Sequence, residues 1–115
     1  MTSPTIDIAI FEDLKATAGA DFVRELVDTF LAEAPAMLTE LRGAFAAGDA
    51  ERFRRSAHSL KSNGNTFGAL AFGAIARELE LGGLAPVQQA NGAPLAVLAD
   101  EYARVAQALT ELARA

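Results

Sequence analysis

The chain has no cysteine and no tryptophan, one histidine and one tyrosine among 115 residues. The missing thiols exclude disulfides, thiolate metal sites and a cysteine nucleophile together. A second histidine is also missing, and with it the two Glu-x-x-His pairs on which a di-metal site in a helical bundle is built. No segment approaches the roughly 20 uninterrupted apolar residues that span a bilayer, and "MTSPTIDIAI" has neither a basic start nor a long apolar run. Excess positive charge is absent too. The formal net charge of -5 argues against nucleic acid, which selects for Lys and Arg over a broad face. These absences point to a cytoplasmic protein that neither enters a membrane nor binds nucleic acid.

What is present is apolar periodicity. A content of 51% hydrophobic and 22% charged residues suffices for one core, so residues 1–115 are expected to form a single domain. Strict alternation is nowhere found, and the pattern is helical almost throughout. Asp7 can cap a short first helix ending near Gly19, with Ile6 and Phe11 as a hydrophobic staple. The second helix is expected from about Asp21 to Ala46, carrying Val23, Phe30, Met37, Leu41 and Phe45, with a kink at Pro35. Gly48 closes it and Asp49 opens the third, from about Ala50 to Asn65. Phe72, Ile75, Ala76 and Leu79 stripe a fourth helix reaching about Leu81. Residues 82 to 94, "GGLAPVQQANGAP", read as a loop by composition. Leu95, Leu98, Tyr102, Val105, Leu109 and Leu112 mark the last helix. The expected fold is all-α, an antiparallel four-helix bundle with a short additional N-terminal helix.

The only histidine lies in "RRSAHSLKSNGNTFGA", residues 54 to 69. Projected at about 100° per residue, Phe53, Ala57, Leu60 and Gly64 share one face of the third helix, and His58 points about 130° away from it. Arg54, Lys61, Ser62 and Asn65 fall beside His58, with Arg55 slightly further round. Between Arg52 and Lys61 stand four basic residues and no acidic one, in a chain that is acidic overall. An outward imidazole ringed by cations suits a nucleophile that accepts a phosphoryl group, whose negative charge Lys61 and Arg54 could stabilise. No second acid or orienting carboxylate is evident from spacing to make His58 the base of an autonomous enzyme. The chain also has no Gly-rich Lys-Ser/Thr segment to bind a nucleotide, so any activity as an enzyme would be that of a carrier.

At these residues the chain resembles the histidine-containing phosphotransfer (HPt) family of two-component phosphorelays. The family pattern appears as Ala57, His58, Leu60, Lys61 and the small Ser62, then Gly68, then Leu79 and Glu80; "FLAEAP" and the turn at Gly48 and Asp49 extend the likeness over about residues 6 to 81. Ser62 stands where many members have glycine. The resemblance implies that His58 is the phosphoacceptor, through Nε2, exchanging phosphate with receiver-domain aspartates. It implies that Lys61 supports the phosphoryl oxygens, that Glu80 hydrogen-bonds the imidazole from the next helix, and that Ile10 and Leu14 dock the partner; Arg55, on the helix of His58, is a further partner-binding candidate. Expected partners are response-regulator receivers and a hybrid histidine kinase. The chain itself would act as a monomer without cofactor or metal, the required Mg²⁺ belonging to the receiver. A helical adaptor that binds a receiver without transferring phosphate is the alternative.

Overall fold

A computed structural model describes residues 5–114; residues 1–4 and 115, the ends of the expected domain and part of the N-terminal stretch judged above, lie outside them. The six helices are α1 (Ile8–Ala18), α2 (Ala20–Ala47), α3 (Ala50–Thr66), α4 (Leu70–Gly82), α5 (Leu84–Gln89) and α6 (Ala93–Arg114). The longer four close a ring in which α2 packs on α3, α3 on α4, α4 on α6 and α6 back on α2. Helix α1 lies on α2.

The boundaries follow from local chemistry. The Asp7 carboxylate accepts from the amides of Ala9 and Ile10, satisfying donors that the first turn of α1 leaves open. Ile6 and Phe11 are both buried, as a staple requires. Gly48 ends α2 in the left-handed conformation, and Asp49 then caps α3 by accepting from the Arg52 amide. Helix α2 runs unbroken through Pro35, so proline does not divide it. Pro94 sits in the first turn of α6, where its missing N–H costs nothing.

The stretch 82–94 is a correction to the expected loop, because residues 84–89 form α5. Its glycines and prolines suggested a loop, yet Gly83 and Gly92, both at positive φ, stand outside the helix and Pro86 lies in its first turn. Leu84 and Val87, three residues apart, are buried and anchor it to the core.

Phe30 of α2 joins the walls of the ring. Its ring centre lies 5.5 Å from that of Phe67 after α3, 6.5 Å from Phe72 of α4 and 5.9 Å from Tyr102 of α6. Beside this cluster α3 and α4 approach closely. A Cβ on Gly64 would lie 2.6 Å from Cδ1 of the fully buried Phe72. Gly64→Ala should therefore destabilise by about 1–2 kcal/mol, overpacking of about 1–3 being partly offset by a gain of up to about 1 in helix propensity. Thermal melting checks this: a fall of several degrees is expected, and an unchanged or raised Tm would show that the contact is not tight.

Candidate functional site

Helices α3 and α4 form an antiparallel hairpin about the Gly68–Ala69 turn, which also receives the start of α1 through Asp7 N–H donating to the Gly68 carbonyl at 2.8 Å. In such a hairpin, residues equally distant from the turn face each other. His58 and Glu80 each lie eleven positions from Ala69 (69 - 58 = 80 - 69 = 11), and Asn65 and Gly73 each lie four from it (69 - 65 = 73 - 69 = 4). Both pairs meet.

His58 is 56% exposed, on the outer face of α3 as its projection predicts. Its Nδ1 lies 2.7 Å from Glu80 Oε2. An ionised carboxylate only accepts, so the imidazole carries its proton on Nδ1 and donates to Glu80. That tautomer leaves the Nε2 lone pair directed outward. The Glu80 side chain is only 12% exposed, and its other oxygen, Oε1, is buried, with the Lys61 ammonium 2.8 Å away. The contact is an ion pair set off the hydrogen-bond direction. Lys61, chiefly, holds the Glu80 carboxyl below its ordinary range; burial opposes this, and His58 adds to the lowering.

The other site residues are placed less uniformly. Ser62 and Arg54 are exposed on the His58 side of α3, and Arg54 makes no ion pair among the described residues. Asn65, seven residues from His58, is exposed and does not join the imidazole: its amide lies over Gly73, where any Cβ would collide with Oδ1. Ile10 is half-buried against Gly68, ten positions from His58, and Leu14 packs on the core; the His58, Lys61 and Glu80 cluster forms without them. Arg55 is exposed on the opposite flank of His58, toward α2.

Two further ionic contacts tie side chains of α3 and α6. Arg52 belongs to the run of four cations on α3, yet its Nε donates to Glu40 Oε1 and its Nη2 to Oε2 at 3.0 Å. Gly43 leaves room for this, since a Cβ there would lie 2.9 Å from Nη2. On α6, the buried Glu101 accepts from Arg104 one turn later, a pair visible in retrospect from its i, i+3 spacing. No group of three or more acidic or histidine side chains suited to a metal occurs among the described residues, and no described helix is long and apolar enough to cross a membrane.

A four-helix ring presenting one outward histidine, backed by a carboxylate from the next helix, defines a class of protein, and comparison with known proteins agrees. The model of the Hpt domain family matches residues 25–115. The crystal structure of histidine-containing phosphotransfer protein B (HptB) from Pseudomonas aeruginosa PAO1 is similar with a TM-score of 0.87 and 27% identity, over 98% of this chain and 97% of that one. No curated protein sequence matches. The chain belongs to the Hpt domain family of histidine phosphotransfer proteins.

The Glu80 shift carries a sign. A carboxyl whose pKa is lowered on folding stabilises the fold above its ordinary value of 4.5, and that contribution disappears as pH falls through the lowered value. Glu80→Gln should therefore be less stable than the parent at pH 7, and the gap should close on acidification toward pH 3. Urea unfolding across that range tests it; a gap that stays constant or widens would show that ionised Glu80 contributes nothing to the fold.

Proposed function

We propose that His58 carries a phosphoryl group between receiver-domain aspartates, taking it from the receiver of a hybrid histidine kinase and passing it to a response regulator. The observation that supports this best is the 2.7 Å contact between His58 Nδ1 and Glu80, which leaves Nε2 free on an exposed ring. In the transfer, the Nε2 lone pair forms the N–P bond while the P–O bond of the aspartyl phosphate breaks, and the aspartate leaves with that electron pair. The Mg²⁺ this requires belongs to the receiver.

The residues of this chain then have distinct tasks. Attack by Nε2 while Nδ1 keeps its proton makes the ring an N-phosphoryl imidazolium, and the Glu80 carboxylate lies against the positive charge that develops. Lys61, three residues from His58 on the same flank, can reach a phosphoryl oxygen while remaining near Glu80. Arg54 and Ser62 border the space the phosphoryl group enters, Arg54 adding positive charge and Ser62 keeping the surface low. Asn65 marks the edge of that space. Ile10 and Leu14 offer the partner the part of their apolar surface that is not buried. The domain acts as a cytoplasmic monomer, and phosphate enters through a partner alone.

The decisive experiment is incubation with phosphorylated receivers. His58→Gln should abolish labelling while leaving helicity and melting nearly unchanged, and the parent adduct should be labile in acid and stable in base, as a phosphoramidate is. Label that survives in the variant places the acceptor elsewhere.

Lys61 and Arg52 should separate in the same assay. Lys61→Ala should slow transfer about ten- to a hundredfold, on the order of 1.4–3 kcal/mol, through loss of a charge contact to the transferring group. Arg52→Ala should slow it far less, since both guanidinium contacts go to Glu40. Rates at low and moderate salt, with circular dichroism on both variants, decide the matter. Equal slowing would reduce the basic helix to a diffuse field.

A further inference from the structure

On the α2 side of His58 an open cleft of about 460 Å³ runs between α2 and α3, with Met37 and Glu40 on one wall and Arg52, Arg55, Ser56 and Ser59 on the other. Its charges do not cancel. Both oxygens of Glu40 are taken by Arg52, whereas Arg55 has no ion pair or side-chain hydrogen bond among the described residues. The field of Arg55 nevertheless reaches the cleft, since it contributes to lowering the Glu40 pKa, after the larger effect of Arg52. Two cations against one anion leave the cleft with a net charge of +1 in a chain of -5.

The cleft adjoins the phosphoacceptor. Arg55 lies one turn before His58, rotated about 60° toward α2, as Lys61 is rotated about 60° toward α4. A partner that closes over His58 covers about 800 Å², equivalent to a disc of about 16 Å radius, while Arg52 to Ser59 spans only about 10 Å of helix. Any such footprint centred on His58 includes the cleft. We propose that Arg55 and the α2–α3 cleft form a carboxylate-recognition subsite that takes an acidic side chain from the docking face of the receiver domain. This rests on the phosphotransfer reading above and specifies how its partner is chosen. A planar guanidinium can hold a carboxylate through two parallel hydrogen bonds, the Ser56 and Ser59 hydroxyls can add donors, and Met37 offers an apolar surface to the methylenes of the incoming side chain.

Two readouts test the subsite. First, a panel of receiver domains is titrated calorimetrically against His58→Gln protein, which can bind but cannot be phosphorylated. Adding Arg55→Ala should weaken receiver binding about 5- to 20-fold, and Arg55→Glu about a hundredfold, while Arg42→Glu, the same charge change on the face of α2 turned toward Asn91 and Leu95, should alter it less than about threefold. Reversal of one acidic residue on the receiver to Arg should restore binding to the Arg55→Glu protein. Second, in His58-intact protein, Arg55→Ala should raise the receiver concentration that half-saturates transfer rather than lower the saturating rate. Unchanged binding by Arg55→Glu, or an equal loss with Arg42→Glu that salt erases, overturns the subsite. Binding that weakens as expected, with a parent that accepts no phosphate, supports the subsite and overturns the phosphotransfer reading instead.

Discussion

The site depends on how closely α3 and α4 approach. Gly64 on α3 faces the buried ring of Phe72, and Gly73 on α4 faces the amide of Asn65; at both places a Cβ would have to displace its neighbour. Small residues at these crossings bring the helices near enough for Glu80 to reach across to Nδ1 of His58 and to the ammonium of Lys61. A wider gap would leave Glu80 as a solvated carboxylate and the imidazole free to rotate and change tautomer. The aromatic cluster of Phe30, Phe67, Phe72 and Tyr102 supports the turn end of the hairpin, beside Gly64 and Gly73, so the approach of α3 and α4 on which the polar contacts at His58 depend is set by packing.

Electrostatics then sort the cations that the sequence crowds onto α3. Lys61 is drawn to Glu80 of α4 and Arg52 to Glu40 of α2, so each neighbouring helix neutralises one positive charge. Arg54 and Arg55 keep theirs, on either side of His58. A field that looks uniform in the sequence is therefore divided into two charges paired with carboxylates of the neighbouring helices and two left unpaired among the described residues. The exposed Arg52–Glu40 pair adds little stability by itself. The consequence of both pairs is directional: they determine which cations remain unpaired beside His58.

Much of this was legible in the sequence. Capping at Asp7 and Asp49, the Gly48 terminus and the core stripe of α3 rest on backbone chemistry and period, which act locally and survive in the fold. The outward direction of His58 followed from the same period. The meeting of His58 and Glu80 was implied by the family resemblance alone; spacing left Glu80 open to being an ordinary carboxylate at a helix end. Three features were not readable. Helix α5 was hidden because Gly and Pro dominate the composition of 82–94 while standing at its borders and in its first turn. The pairing of Arg52 with Glu40 depends on the space above Gly43, a property of two helices together. The placing of Asn65 over Gly73 depends on a side-chain rotamer that helical projection does not represent.

Such a division follows from the task of a carrier. One imidazole must meet a donor and then an acceptor, so its tautomer and direction have to be the same for both; a carboxylate seated on a tightly packed hairpin secures that. Partner choice is subject to the opposite condition. It must vary without disturbing the imidazole, and so it resides on residues that the core does not constrain. Arg55 meets that condition: it lies one turn from His58, is solvent-exposed, and makes no contact on which the bundle relies. Packing accordingly fixes His58 and its Glu80 support with little freedom, whereas the charge available beside them follows only from the cations that the fold leaves unpaired.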